Sequence, residues 1–137
     1  MNVGVIGCGA ISGIYFQTLS QNPGVHVLAC SDLDLAKAQA KAEEFRIPKV
    51  LSTEDLLNDS EVEVVLNLTI PRAHHDLNLA ALKAGKHVYS EKPLGVSAFE
   101  AEQQFAAAVA AQRQLACAHR NRGFRPLVAI AANRVSD

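Results

Sequence analysis

An apolar run of strand character that breaks directly into a glycine-rich turn, and then into a helical pattern, constrains this chain more than any other stretch. The run is Val3-Gly4-Val5-Ile6, the turn is Gly7-Cys8-Gly9-Ala10-Ile11-Ser12-Gly13, and the helical pattern begins at Ile14-Tyr15-Phe16-Gln17-Thr18-Leu19. Strand, Gly-x-Gly turn and helix in this order form the context in which a chain binds a dinucleotide. Gly7 allows the tight strand-to-helix turn. Gly9 lets the backbone approach a pyrophosphate with no Cβ in the way. The helix N-terminus offers free N–H groups and the positive end of a dipole. Ala10, Ile11 and Ser12 complete the candidate cofactor turn. Ser12 stands where the fingerprint wants a third glycine, with Gly13 one residue later, and a small residue there still permits close helix–strand packing.

The acidic residue that should follow is present. Val25-His26-Val27-Leu28-Ala29-Cys30 reads as a second strand ending at Ser31-Asp32, about 20 residues past the glycines. A carboxylate there accepts hydrogen bonds from both ribose hydroxyls of NAD and repels a 2′-phosphate. The next residue is Leu33 rather than Arg or Lys, so NAD is expected over NADP. Asp32 or Asp34 can also serve as N-cap of the helix that follows, and the two roles are compatible.

Strand and helix signals alternate along the rest of the chain. Strands are expected at about 2–7, 25–31, 47–51, 61–68, 86–90 and 114–118, and helices at about 10–21, 34–46, 54–58, 71–84 and 98–113. Pro48 suits the first position of the third strand. Ser52 or Thr53 can cap the short helix, Pro71 opens the next one and Gly85 stops it. Ser97-Ala98-Phe99-Glu100 reads as a capping box. Near-continuous apolar strands alternating with helices mean a parallel sheet covered on both faces. With the glycine turn after the first strand, the expected fold is a doubly wound α/β Rossmann sheet in three layers, strand order 3-2-1-4-5-6.

Composition narrows the partners. The chain has 137 residues, 49% apolar and 20% charged, with a formal net charge of −1, so nothing steers it toward nucleic acid or a membrane surface. It has no apolar run near the ~20 residues of a membrane span and no basic segment ahead of an apolar stretch, so a cytoplasmic protein is expected. Cys8, Cys30 and Cys117 form no disulfide framework and read as reduced, buried packing residues.

Two further segments carry candidate chemistry. Ser90-Glu91-Lys92-Pro93 follows the fifth strand, where ligands of a doubly wound sheet sit. Lys92 there can hydrogen-bond a substrate hydroxyl and stabilise the alkoxide that develops as hydride leaves. Glu91 could hold the nicotinamide ribose or pair with Lys92. A solvated Glu–Lys pair before a proline turn accounts for the same residues equally well. Thr69-Ile70-Pro71-Arg72-Ala73-His74-His75 follows the fourth strand at the same edge, so Thr69 could contact the cofactor and His74 lie under it. The adjacent histidines are a poor metal signal, because neighbours on a helix diverge by about 100°, and no metal site is expected. His26 and His87 read as packing or surface residues.

These residues together resemble the N-terminal domain of the glucose–fructose oxidoreductase / inositol dehydrogenase / rhizopine-catabolism (Gfo/Idh/MocA) family. The matching elements are Gly7-Cys8-Gly9-Ala10-Ile11-Ser12, Ser31-Asp32, Leu68-Thr69-Ile70-Pro71-Arg72-Ala73-His74 and the highly specific run Ala80-Ala81-Leu82-Lys83-Ala84-Gly85-Lys86-His87-Val88-Tyr89-Ser90-Glu91-Lys92-Pro93-Leu94. The resemblance covers residues 1 to about 118. It implies a nicotinamide-dependent oxidoreductase of sugars, polyols or related hydroxy compounds, with Lys92 as the catalytic or substrate-orienting lysine and Glu91, Thr69, Pro71 and His74 lining the cofactor. It also makes Lys92–Pro93 a candidate cis peptide. The rival readings are a stand-alone NAD-binding or sensing module, and a non-functional truncated remnant that folds but binds weakly.

Members of that family are more than twice this long, their second half supplying the rest of the substrate pocket and the oligomer interface. Residues 1–118 are therefore expected to be a dinucleotide-binding domain without its substrate domain, inactive alone, and 119–137 an atypical tail. The tail reads either as a frameshifted continuation, since codon degeneracy allows Ala131-Ala132-Asn133-Arg134-Val135-Ser136 to be a plus-one reading of bases that encode a family-like Gln-Gln-Thr-Ala-Cys-Leu, or as a plain truncation in which Asn121-Arg122-Gly123-Phe124-Arg125-Pro126 matches an Arg-Phe-x-Pro segment. Residues 124–135 have helical composition. Leu115, Phe124, Leu127, Val128 and Ile130 need an apolar partner, so either a homo-oligomer or a mobile tail is expected, the tail helix covering its own chain's surface or swapping onto a neighbour's.

Overall fold

The structure, a computed structural model, describes residues 1–118. The tail, its expected helix over 124–135 and the apolar residues proposed to drive self-association from it lie outside the described residues. Eleven elements alternate: β1 (Asn2–Ile6), α1 (Ser12–Ser20), β2 (His26–Ser31), α2 (Leu35–Phe45), β3 (Lys49–Val50), α3 (Thr53–Asn58), β4 (Val64–Asn67), α4 (Pro71–Lys83), β5 (His87–Ser90), α5 (Ala98–Ala111) and β6 (Leu115–Cys117). The strands form one parallel sheet in the order β3-β2-β1-β4-β5-β6, as the sequence predicts.

The sheet separates two apolar clusters. One joins Val3, Val5, Val64, Leu66 and Tyr89 of the strands to Tyr15, Phe16 and Leu19 of α1 and Ala38 and Ala42 of α2. The other joins Ile6, Leu28, Val65 and Val88 to Leu56 of α3, Ala81 and Leu82 of α4 and Ala108 of α5. Successive strand residues feed opposite clusters because side chains alternate across a pleated strand, and with both faces covered each strand reads as a continuous apolar run.

The elements end where local chemistry stops them. Asp34 Oδ1 accepts from Ala36 N–H and caps α2, and Ser52 Oγ accepts from Asp55 N–H and caps α3. Pro71 occupies the first turn of α4, where its missing N–H costs nothing. Gly85, with φ of +82°, takes the left-handed position beyond the end of α4. Three expectations need correction. β3 spans Lys49–Val50 rather than 47–51, since Pro48 has no N–H to donate and the strand pairs only with Ala29 and Cys30 of β2. The start of the fourth expected strand is instead a turn, in which Asp59 accepts from Glu61 N–H and Val62 N–H. The capping box is half formed: Ser97 Oγ accepts from Glu100 N–H at 3.2 Å, but the Glu100 carboxylate reaches past Ser97 to Val96 N–H at 2.9 Å.

Candidate functional site

The carboxyl ends of the strands stand level. Ile6 pairs with Ser31 on one side and Asn67 on the other, Asn67 pairs with Ser90, and Ser90 with Cys117. The residues that follow β1, β4 and β5 still donate to this row: Gly7 N–H to Ser31 O, Leu68 N–H to Ile6 O, and Glu91 N–H to Asn67 O, each at 2.8 Å. The glycine turn, Asp32, the Leu68–Ile70 turn and the Glu91–Lys92 turn thus emerge side by side along one edge.

The glycine turn has the expected shape. Gly7 has a φ of +105°, and a Cβ there would stand 2.7 Å from the carbonyl carbon and oxygen of Leu68, so only glycine fits. Beside Gly9 the space is open, with nothing within 4 Å of where a Cβ would be. Ala10 and Ile11 are exposed in the turn. Ile11 is the N-cap of α1 and supplies no side-chain bond, unlike the caps of α2, α3 and α5; Ser12 N–H donates to Gly9 O at 3.1 Å, and no side chain caps the start of α1. Ser12 points the other way: it is fully buried and its hydroxyl donates to Gly9 O at 2.6 Å, bracing the turn from within.

Asp32 ties the turn to β2. Its Oδ2 accepts from Cys8 N–H and its Oδ1 from Asp34 N–H, both at 2.8 Å. The cap of α2 is Asp34, so the Asp32 carboxylate is left half-buried at the edge with lone pairs to spare for further donors. Leu33 beside it is fully exposed. Lys41 of α2 brings a cation to the start of α1, its Nζ 3.4 Å from where a Cβ on Gly13 would be. Cys8 and Cys30 are buried, as their apolar surroundings predict, and Cys117 is half-buried. The contact with Cys30, together with burial, pushes the Cys8 thiol up, which keeps it protonated and inert.

At the other end, Lys92 is exposed on the turn after β5, and the Lys92–Pro93 peptide is cis. Glu91 is half-buried and does not pair with Lys92; Tyr15 of α1 donates its hydroxyl to Glu91 Oε2. Burial, then this bond, pushes the Tyr15 phenol up. Tyr15 also meets Tyr89 edge to face, centroids 6.5 Å apart. Thr69 is half-buried and donates its hydroxyl to Asn67 Oδ1 at 2.6 Å. Pro71 is exposed at the start of α4. His74 is 1% exposed, below the edge rather than on it, with Nε2 at 2.7 Å from Thr69 O and Nδ1 at 2.6 Å from Pro93 O.

Sequence reasoning missed Tyr15, Asn67, Asn78 and Gln104. Asn67 had a signal, being the one polar residue of the apolar run Val64–Leu68. The other three lie on helices, where nothing in spacing announces a polar contact.

The matches to known proteins fit this geometry. Residues 1–119 match the model of an oxidoreductase family with an NAD-binding Rossmann fold, Gfo/Idh/MocA. The chain is 35% identical over 106 residues to the inositol 2-dehydrogenase of Salmonella paratyphi B, covering 75% of this chain and 32% of that protein. Among solved structures it is similar to GenD2 from gentamicin A biosynthesis in complex with NAD, with 28% identity, a TM-score of 0.82 and coverage of 85% of this chain and 34% of that one. It is equally similar to the 3-ketoreductase KijD10 of Actinomadura kijaniata in complex with NADP and TDP-benzene, with 28% identity, a TM-score of 0.82 and coverage of 98% and 42%. The chain spans about a third of the length of the curated relatives it matches.

Proposed function

The chain belongs to the Gfo/Idh/MocA oxidoreductase family, and from that premise we propose that residues 1–118 form the NAD-binding half of an active site acting on sugars, polyols or related small hydroxy compounds. The observation that carries the reading is the level edge, along which an uncapped helix start, a carboxylate with spare lone pairs and an exposed lysine follow strands in register.

The residues divide the work. The N–H groups at the start of α1, with the open approach beside Gly9, receive the pyrophosphate of the dinucleotide. Asp32 accepts from the adenine-side ribose hydroxyls, and its charge, with Leu33 alongside, disfavours a 2′-phosphate. Thr69 and Pro71 flank the cofactor on the β4 side, with His74 supporting it from beneath. Glu91, held by Tyr15, is oriented toward the second ribose. NAD, when bound, supplies the hydride acceptor. The Lys92 ammonium would hydrogen-bond the substrate oxygen and stabilise the negative charge left on it when the hydroxyl proton passes to water, the alkoxide becoming a carbonyl as its carbon gives up hydride.

Isothermal titration of the chain with NADH and NADPH tests this. NADH should bind and should bind more tightly. Equal or tighter binding of NADPH would refute the role given to Asp32, and no binding of either would refute the whole reading.

A further inference from the structure

Four buried polar side chains form a closed circuit beneath the candidate site. Asn67, His74, Asn78 and Gln104 are each 0–1% exposed. On the longer arm, the Thr69 amide and hydroxyl both donate to Asn67 Oδ1, at 3.1 and 2.6 Å. Asn67 Nδ2 donates to Asn78 Oδ1 at 2.8 Å, Asn78 Nδ2 to Gln104 Oε1 at 2.8 Å, and Gln104 Nε2 to Leu94 O at 2.8 Å. On the shorter arm, His74 alone spans from Thr69 O to Pro93 O. Its two ring nitrogens lie against backbone carbonyl oxygens, one in each turn.

Packing does not call for this arrangement. The circuit runs from β4 through α4 to α5, and apolar side chains of similar volume would fill the same space with no polar group to satisfy. A buried polar network adds direction instead: each amide fixes where its neighbour must stand. Both arms begin at the turn carrying Thr69 and end in the turn that follows Lys92, and no buried side-chain nitrogen or oxygen among the described residues lacks a partner.

We propose that Asn67, His74, Asn78 and Gln104 are positioning residues that lock the Thr69 turn to the Glu91–Leu94 turn and so set where Glu91 and Lys92 stand relative to the cofactor. The inference rests on the role given to that turn under Proposed function. Two parallel arms make the lock redundant: cutting one leaves the turns tied by the other, and cutting both leaves only the Glu91 N–H bond to Asn67 O at the base of the turn.

The test compares NADH with ADP, which carries the adenosine and both phosphates but neither the second ribose nor nicotinamide. Titrations use the full chain, its Gln104→Met and His74→Phe variants, and the double variant. ADP affinity should stay within twofold throughout. NADH affinity should fall about two- to threefold in each single variant and at least tenfold in the double variant, more than the product of the two. A purely structural circuit would weaken both ligands together, and parallel losses would overturn the proposal. So would an unchanged ratio of NADH to ADP affinity in a folded double variant. Where the double variant does not fold, the single variants decide, and a folded Gln104→Met protein whose ratio does not move in the predicted direction overturns it equally. Failure of the unaltered chain to bind NADH would remove the functional reading and this one with it, whereas NADH binding with an unmoved ratio would remove this one alone.

Discussion

Two glycines two residues apart should respond to alanine in opposite ways. At Gly7 the backbone has a φ of +105°, which an L-residue adopts at a cost of about 1–3 kcal/mol. The new methyl would also stand 2.7 Å from the Leu68 carbonyl and 3.0 Å from Thr69 N. These are backbone atoms held in the row of ladder bonds, so the strain is relieved only by parting β1 from β4, a further ~1–3 kcal/mol. Gly7→Ala should therefore lose about 2–6 kcal/mol, a fall in Tm on the order of 10–20 °C for a domain of this size. At Gly9 nothing lies within 4 Å of the new methyl and φ is not in the left-handed region. Gly9→Ala should keep its Tm or gain slightly, by the ~0.4–1 kcal/mol that a more restricted unfolded chain provides. It should lose NADH affinity by at least tenfold, about 1.4 kcal/mol, because the methyl occupies the approach to the pyrophosphate. Differential scanning fluorimetry and titration calorimetry on both variants read the two quantities separately. A Gly9→Ala protein that binds NADH as tightly as the parent would show that the phosphates do not sit on this turn. A Gly7→Ala protein with an unchanged Tm would show that the close approach of β1 to the Leu68 turn is wrong.

The two neighbouring aspartates should separate in the same assays. Asp32→Ala should weaken NADH binding by ~1–2 kcal/mol, the scale of charge-assisted hydrogen bonds, and narrow the preference over NADPH. Asp34→Ala should instead cost ~1 kcal/mol of stability through loss of the α2 cap, with NADH affinity unmoved. The chain's tyrosines are Tyr15 and Tyr89, and burial pushes both phenols up. Their folded values lie above the ordinary value of about 10, so the stability they contribute is present below pH 10 and is lost as pH rises beyond it. Spectrophotometric titration of the folded chain should show phenolate appearing later than in a urea-unfolded sample, and coincident curves would contradict the burial of both rings. Tyr15→Phe removes the hydroxyl that holds the Glu91 carboxylate and should change NADH affinity while leaving ADP affinity within twofold, as parallel titrations would read.

The fold was legible because its signals are local. The strand, glycine turn and helix at 3–19, the Asp at the end of the second strand and the stop at Gly85 are each set by neighbours in sequence, and the strand order follows from the alternation. Boundaries drifted where a side chain outcompeted the pattern, as when Asp59 gathered Glu61 and Val62 into a turn. In the site, Gly7, Gly9, Asp32, Glu91 and Lys92 were legible because each follows a strand and the strands end in register. Ser12 and His74 were found but not their orientation, since a hydroxyl or imidazole beside a ligand-bearing turn can face the ligand or brace the turn, and only packing decides. Asn78 and Gln104 were invisible: they are 26 residues apart on separate helices and meet only because α4 packs on α5.

The sheet's single chemical edge also divides the chain into a half that must be kept and a half that can be rebuilt. Every group invoked in binding or chemistry follows the carboxyl end of a strand, while the turns that enter the strands lie at the far side. Pro23 and Gly24 in the turn before β2 and Gly85 in the turn before β5 are exposed, and a Cβ on Gly85 would meet nothing. Exposed turn tips are where chains accept insertions, tags and new termini. A binding loop or reporter grafted at Pro23 leaves the dinucleotide edge as it was, so this domain can take on a second specificity without trading away its first.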